Sequence, residues 1–303
     1  MAINRTKSWF GTSLYGSAPA PSEWAFAQEG GQISMFLSRG SGPHNYAGAL
    51  YRVHKFTSNS SITFTEGGLV DVLIVAGGGQ GGGANNGQMG GGGGAGGVLE
   101  LYQHTVEAAT YTITVGAGGY VASYDGQSGV NSSFGSYTAF GGGRGARGGL
   151  NNASGGGSGG GGSDNANAQG GNGTPSQGHD GGSTFGNFNQ GGGGGGAGNG
   201  PASITSDVSL SDGGAGRLVC FDSDAGNYFG GGGAGGAAGS SDILGYGGLG
   251  GGGNGGTNDN NGQDAFYYGG GGGGASRNNS SNWNYGGSGY QGIVMVRYVV
   301  PTV

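Results

Sequence analysis

NFNQGGGGGGAGNG, residues 187–200, contains six consecutive glycines, and similar runs recur along most of the chain. Glycine accounts for 88 of the 303 residues, whereas a typical globular protein contains about 7% glycine. Collagen is excluded, because collagen needs a glycine at every third residue and abundant proline, and this chain has 6 prolines and uninterrupted glycine runs. Aromatic residues make up 10% of the chain and argue against a flexible linker. We therefore expect an ordered structure built from glycine.

Polyglycine can adopt the polyproline II conformation, which has three residues per turn and no internal hydrogen bonds. Every N–H and C=O then points outward and needs a partner when the rod is buried, since an unpaired buried backbone group costs about 1–3 kcal/mol. Rods packed in a hexagonal array supply these partners, provided that no Cβ keeps the backbones apart. We predict a bundle in which an edge rod carries an outward side chain at every third residue and an interior rod is glycine throughout.

The two six-glycine runs are the predicted interior rods, and the interrupted run GGLGGGGNGG (247–256), with Leu249 and Asn254, is a predicted edge rod. The interior residues are Gly191, Gly192, Gly193, Gly194, Gly195, Gly196, Gly269, Gly270, Gly271, Gly272, Gly273 and Gly274.

Patterns typical of β-strands are confined to residues 49–115 and the C-terminal end. SITFT (61–65) and YTITV (111–115) alternate apolar residues with threonine, which predicts half-buried antiparallel strands. VLIVA (72–76) and GIVMVRYVV (292–300) are continuously apolar, which predicts strands covered on both faces. ALYRVHKF (49–56) and GVLELYQ (97–103) bring the expected number of strands to about six.

The predicted fold class is mostly β and irregular, with almost no α-helix: a small antiparallel β-sandwich into which a bundle of polyglycine II helices is inserted. We expect residues 1–48 to form an N-terminal attachment or oligomerisation arm. Residues 49–115 and 292–303 form the sandwich. Residues 116–291 form the glycine bundle with its display loops, and the runs 77–83 and 90–97 also join the bundle.

An ordered set of motifs between residues 49 and 300 resembles the glycine-rich domain of bacteriophage tail-fibre and receptor-binding (adhesin) proteins. The motifs are LYRVHKFTSNSSITF, VDVLIVAGGGQGGG, GAGGVLEL, YTITVGAGG, NSSFGS and GYQGIVMVRY. The resemblance implies a virion protein of the tail fibre or tail tip, made in the host cytoplasm, whose loops contact a bacterial surface. Residues 1–48 depart from the resemblance, because they match no recognised attachment domain.

The segments between glycine runs combine aromatic rings with amide side chains, and both suit recognition of sugars or proteins. The alternative is that many of these rings only cover the rods. The candidate receptor-binding residues are Tyr124, Phe185, Phe188, Tyr228, Phe229, Tyr246, Phe266, Tyr267, Tyr268, Trp283 and Tyr285.

The first 48 residues contain aromatic side chains that could serve attachment to another protein. Trp9, Phe10, Tyr15, Trp24 and Phe26 are the candidate residues. The alternative is that this arm packs on its own sandwich.

Composition and motifs disfavour several other functions. The net charge is −6 with 9% charged residues, which does not suit binding of nucleic acid. GGSGG (156–160) fits a hydrolase motif only by composition, and no phosphate-binding loop follows a glycine run. The four histidines lack metal-ligand spacing, and Cys220 is expected to be a small buried residue. We expect no enzymatic activity, no metal, no cofactor, no signal peptide and no membrane insertion.

Two functions remain. The first is a tail-fibre or adhesin protein that binds a host surface protein or polysaccharide and contacts other tail or fibre proteins, and that could form a homo-oligomer such as a trimer. The second is a structural virion or fibre-assembly protein in which the glycine bundle is a rigid spacer and the aromatic residues make subunit contacts.

Overall fold

The computed structural model describes residues 27–29, 31–40, 42, 44–84, 87–120, 124–149, 153–186, 188–206, 211–238, 245–276 and 283–300. The predicted arm residues Trp9, Phe10, Tyr15, Trp24 and Phe26 lie outside these ranges. The described residues contain no helix, and their strands are β1 (Ala27–Glu29), β2 (Gln32–Leu37), β3 (Leu50–Phe56), β4 (Ser60–Phe64), β5 (Gly68–Val75), β6 (Val98–Val106), β7 (Thr110–Thr114), β8 (Ser132–Phe134), β9 (Tyr137–Ala139), β10 (Arg217–Val219), β11 (Asn227–Phe229) and β12 (Ile293–Val300).

The strands form two five-stranded antiparallel sheets and one hairpin. The first sheet has the order β2-β3-β12-β5-β6, the second has the order β1-β4-β7-β8-β9, and β10 pairs with β11. The six predicted strands are confirmed as β3 to β7 and β12. The C-terminal strand β12 is central in the first sheet, where Val296 pairs with His54 of β3 on one side and with Val72 of β5 on the other.

The central strands β5 and β12 of the first sheet are buried on both faces. Val72 and Ile74 face the second sheet, in a core that also contains Ile62, Phe64 and Phe134. The neighbouring residues of β5 and β12 point the other way, into a second core formed with the β10–β11 hairpin: Leu73, Val75, Ile293, Met295, Val219, Phe221 and Phe229. Continuous apolar sequence in β5 and β12 reflects this burial on two sides.

The sheets extend beyond the bounds expected from the sequence. β1 and β2 come from the segment 1–48 and pair with β4 and β3, respectively. β8 and β9 lie after residue 115 and extend the second sheet beyond β7. Strands of three residues, such as β1, β8 and β9, are too short to show a two-residue period in the sequence.

The glycine run 90–97, here called the central segment, is buried and bonded entirely to other segments. Every third N–H donates to the same neighbouring segment, so three neighbouring segments accept the hydrogen bonds of all eight N–H groups. The donor–acceptor pairs are Gly90–Ala275, Gly93–Gly272, Gly96–Gly269, Gly91–Ala146, Gly94–Gly143, Gly97–Phe140, Gly92–Gly192 and Ala95–Gly195. The carbonyl groups accept from three further neighbours, through Gly236, Gly233, Gly82, Gly79, Gly161 and Ser158. Six segments therefore surround this one.

The run 269–274 with Ala275 has the same surroundings. From Gly271 to Ala275 its N–H groups donate to residues 231–234, to residues 79–82 and to Gln263, while Gly269 donates to Gln291 and Gly270 to Tyr267. Its carbonyl groups accept from 90–96, 253–256 and 287–290. The runs 77–83 and 191–196 are also buried and bonded to several segments each. Neither six-glycine run is an exposed loop.

Close approach of backbones excludes side chains from most of these positions. Along 191–196, an added Cβ would lie 2.0–2.3 Å from a carbonyl oxygen of another segment, and the neighbour recurs every third residue. The carbonyl groups belong to Gly90 and Gly93, to Gly182 and His179, and to Asp212 and Ala215. A real Cβ does not approach an oxygen so closely, so glycine is required by space.

The expectation that an interior segment is glycine throughout is wrong in detail. Ala95 is fully buried in the central segment, and Gln80 is fully buried in the run 77–83. The Gln80 amide donates to the carbonyl of Gly286, so a side chain there takes the place of a backbone donor. The run 247–256 carries Leu249, which is 62% exposed, as expected of an outer segment.

A methyl group added at the centre of the central segment should destabilise the protein. The Cβ of Gly93→Ala would lie 2.2 Å from the Gly79 carbonyl oxygen, while the Gly93 N–H and C=O are bonded to two further segments. We expect a loss of more than about 2 kcal/mol in the free energy of unfolding, measured with urea. Gly200→Ala is the control, because its Cβ would lie 3.3 Å from its nearest neighbour, and it should change stability by no more than about 1 kcal/mol. Equal effects of the two substitutions would contradict this account.

Candidate functional site

The candidate residues lie at two ends of the glycine segments. At the sheet end, the segments join β5 and β6, where the Ala76 N–H donates to the Gly97 carbonyl. At the opposite end, called the far end, Gly82 donates to Gly91 and Gly236 donates to Gly90. Tyr124, Trp283 and Tyr285 lie at the far end, because Gly83 donates to the Tyr124 carbonyl and Ala84 to the Asn284 carbonyl.

Three far-end candidates form one aromatic cluster. The Tyr124 ring stacks on Trp283 at 4.3 Å and on Tyr285 at 4.6 Å between ring centroids. The Tyr285 hydroxyl donates to the Tyr124 hydroxyl at 3.0 Å. The Arg147 guanidinium lies 5.1 Å from the Trp283 ring centroid and forms an ion pair with Asp125. All three rings are half-buried, so their contacts with each other use part of the surface that a receptor could contact.

The other candidates among the loops are not part of this cluster. Phe185 and Tyr246 are 55% and 59% exposed, respectively, on separate loops. The Tyr246 N–H donates to the Asp212 carboxylate at 2.7 Å, which fixes the start of its segment. The Phe188 ring lies against Gly186 and is half-buried.

A groove of about 350 Å³ lies near the sheet end and contains Phe266, the most exposed of the candidates. Tyr228, Phe266, Tyr267 and Leu249 line it together with Asn227 and the glycines of 247–251. Phe266 is 72% exposed and Tyr228 is 40% exposed. Leu218 pairs with Tyr228 across the β10–β11 hairpin and is 49% exposed, so it extends this apolar groove on the same face.

Tyr267 and Tyr268 pack between the groove and the second core, and Phe229 does not reach the surface. Tyr267 packs between Phe229 and Tyr268, with ring centroids 5.6 Å and 5.1 Å apart, and Tyr267 and Tyr268 are half-buried against the second core. Burial raises the pKa of the Tyr267 phenol. Phe229 is fully buried, because residues alternate along β11 and Tyr228 takes the outward position. Phe229 therefore has a packing role in place of the expected surface role.

A buried arginine holds the β10–β11 hairpin against the first sheet. The Arg297 side chain is fully buried and forms an ion pair with Asp71 at 2.8 Å. Its guanidinium also donates to the carbonyl groups of Cys220 and Phe221, which follow β10, at 2.9 Å and 3.0 Å. The Tyr51 and Phe221 rings sandwich it at 4.6 Å and 4.7 Å. Each buried donor thus has a partner that compensates for the loss of water.

Asp224, in the turn between β10 and β11, extends this network. Asn45 accepts a hydrogen bond from Arg297 at 2.7 Å and donates to Asp224 at 2.9 Å. Asp224 also accepts from the Ser38 hydroxyl and the Arg39 N–H. Burial alone would raise the pKa of the Asp224 carboxyl, but these hydrogen bonds outweigh it and hold the pKa below its ordinary value. The β10–β11 hairpin, which forms one wall of the apolar groove, is therefore held in place by two charged side chains, Arg297 and Asp224.

Sequence reasoning missed this network. The apolar pattern of GIVMVRYVV predicts a strand covered on both faces, but the strand contains Arg297 near its centre. The single charge within an apolar run is the signal that could have found it, because a buried arginine needs a carboxylate and further acceptors. The positions of those partners, at Asp71, Asn45 and 220–221, are far apart in sequence and give no local pattern.

Several other titratable groups are used in packing. His54 is fully buried and hydrogen-bonded to the Tyr298 hydroxyl, and His44 stacks on Tyr102. Burial raises the pKa of the Cys220 thiol. Among the residues that the structure describes, no three His, Cys, Asp or Glu side chains are grouped in a way that could hold a metal ion. Within the same ranges no helix is long and apolar enough to cross a membrane.

Comparison with known proteins places most of the chain in one family. A family model described as a glycine-rich domain matches residues 55–299, from the end of β3 to the end of β12. A search of curated proteins finds no match. The matched range includes every residue of the apolar groove and of the far-end cluster.

The hydrogen bonds to Asp224 should make stability dependent on pH. Because its pKa is lowered in the folded state, its contribution is fully present above the ordinary value of 3.8 and is lost as the pH falls through the lowered pKa. Asp224→Asn should therefore lower the free energy of unfolding at pH 7 by about 1 kcal/mol, a value kept small because the group is partly exposed. The difference from the unsubstituted protein should shrink as the pH is lowered below 3.8.

Urea unfolding between pH 2 and pH 7 measures this difference. Glu66→Gln is the matched control, since it removes one negative charge from an exposed position. A difference for Asp224→Asn that stays constant over the whole pH range would contradict the role of the ionised carboxylate.

Proposed function

We propose that this chain, which belongs to the glycine-rich domain family, is a bacteriophage tail-fibre or adhesin protein that recognises a host cell-surface receptor through loops between glycine-rich rods. The virion, at the tail fibre or tail tip, is its proposed location. Its proposed partners are a host surface protein or polysaccharide and other tail or fibre proteins.

We further propose that the rods are polyglycine II helices. The three-residue recurrence of neighbours along 90–97, 191–196 and 269–275 supports this, because polyproline II geometry has three residues per turn. The exchange of hydrogen bonds with surrounding segments, with six neighbours around the central segment, is also what a hexagonal array requires.

Such a bundle suits the display of variable loops. The contacts between rods are made by backbone N–H and C=O groups, so they do not depend on the side chains of the loops. A change of loop sequence at residues such as Phe185 or Tyr246 leaves those backbone contacts in place. A rigid framework with loops that can vary is the arrangement used by many binding proteins.

The apolar groove is the single observation that carries the proposal. Phe266, Leu249 and Tyr228 expose apolar surface beside one another, although exposed apolar side chains on a monomer are usually scattered. Aromatic side chains supply large and rigid contact area, and Asn227 supplies an amide in the same groove. This chemistry fits a sugar ring or an apolar side chain of a surface protein.

The alternative is a structural virion or fibre-assembly protein, in which the rods are a spacer and exposed apolar residues contact other subunits. The exposed residues Ile33, Met35 and Leu37 on β2 favour this reading, since they lie on the sheets and away from the loops.

Binding to bacterial cells tests the proposed function. The purified full chain, fluorescently labelled, should be retained by cells of some strains in a bacterial panel and not by others. Phe266→Ala should weaken retention at least tenfold, because truncation of an aromatic contact residue commonly costs about 1.4 kcal/mol or more. Phe140→Ala should bind normally, since it removes an aromatic ring that is 43% exposed and outside the groove.

Retention by no strain, together with normal adsorption of virions that lack the protein, would overturn the adhesin proposal. Virions that fail to assemble without the protein, with no cell binding by the purified chain, would support the structural alternative. Normal retention of the Phe266→Ala variant would place the contact outside the groove.

A further inference from the structure

The outer strands of the two large sheets are β2 and β6 in the first sheet and β1 and β9 in the second. An outer strand presents unpaired backbone groups to any other strand, and soluble proteins usually protect such edges by short strands, charges or bulges. The four outer strands differ in this protection.

Three of the four outer strands carry a protective feature. β1 and β9 have only three residues each. β6 contains the charged Glu100, and its pairing with β5 is interrupted between Val70 and Val72, where Gln103 has a φ of 51°. Each of these features disfavours addition of another strand.

β2 has none of these features. It has six residues, pairs with β3 in unbroken register and contains no charged residue and no proline. Ile33, Met35 and Leu37 occupy one face of β2 and are 56%, 48% and 64% exposed. On the opposite face Phe36 stacks on Tyr51, with ring centroids 5.1 Å apart, so the strand is anchored to its own sheet.

We infer that β2 is a dimer contact, in which two copies of this chain pair their β2 strands antiparallel about a two-fold axis. With the axis at Met35, Ile33 of each copy faces Leu37 of the other, and the two Met35 residues face each other. The exposed apolar row is thus complementary to itself, as an isologous contact requires. Pairing in this register joins the two first sheets into one of ten strands.

Charge favours a second copy as the occupant. The chain has a net charge of −6, which makes most contacts between copies repulsive. β2 is uncharged over its whole length, so strand pairing brings no like charges together there. This inference does not depend on the proposed receptor binding, and either can fail without the other.

The oligomeric state of the full chain tests this inference. Sedimentation velocity over a dilution series should show a dimer that dissociates to monomer. Leu37→Lys should raise the dimer Kd at least about 100-fold, because in each copy a charged side chain replaces the apolar contact with Ile33 of the other copy and has no partner of opposite charge there. Leu249→Lys is the matched control, since Leu249 is exposed to the same degree as Leu37 and lies in the apolar groove. Its Kd should be unchanged.

A cysteine at the two-fold axis tests the register. Directly opposed residues of antiparallel strands have Cα atoms about 4.5–5.5 Å apart, within the range that a disulfide spans. Met35→Cys should therefore form a covalent dimer on mild oxidation, and Leu249→Cys should not. The native Cys220 is buried and is present in both variants, so any disulfide that it forms would appear equally in both.

Several outcomes would overturn the inference. A full chain that stays monomeric at every concentration would mean that β2 does not bind a second copy. A trimer would exclude the two-fold contact. A dimer that dissociates with Leu249→Lys and persists with Leu37→Lys would place the contact at the apolar groove.

Discussion

The whole molecule depends on the need of buried backbone groups for hydrogen-bond partners. A helix or sheet meets this need by its own regular pattern, but the glycine segments are neither, and they find most of their partners on neighbouring segments. The central segment 90–97 gives all eight of its N–H groups to three neighbours and accepts from three more. Removing any neighbour would leave several buried groups unpaired, so the segments are stable only together.

The sandwich determines where the segments begin and end. β5 leads directly into the run 77–83, and the central segment leads directly into β6, so two neighbouring strands extend into two neighbouring segments. β12 returns from the far part of the chain and pairs between β3 and β5. The sheets thus close a long insertion whose own contacts are almost all between residues distant in sequence.

The glycine segments and the β10–β11 hairpin each support one side of the apolar groove. The outer run 247–256 and the loop before Gly269 form one wall of the apolar groove. The other wall is the β10–β11 hairpin, which side chains hold: Arg297 binds the carbonyl groups after β10, and Asp224 binds the loop at 38–45. Backbone bonds tolerate changes in loop sequence, whereas this charged network depends on particular residues.

Sequence patterns alone predict the strands β3 to β7 and β12, the absence of helix among the described residues and the burial of the glycine runs 191–196 and 269–274. These features follow from local patterns: alternation, continuous apolar residues, and runs without a Cβ. Local patterns do not show that 90–97 is the central segment, that Phe229 is buried while Tyr228 is exposed, or that Arg297 contacts Asp71 and Asn45, because these relations arise from tertiary packing. Those relations join residues up to 252 positions apart, and no local pattern encodes which distant backbone or carboxylate will lie beside them.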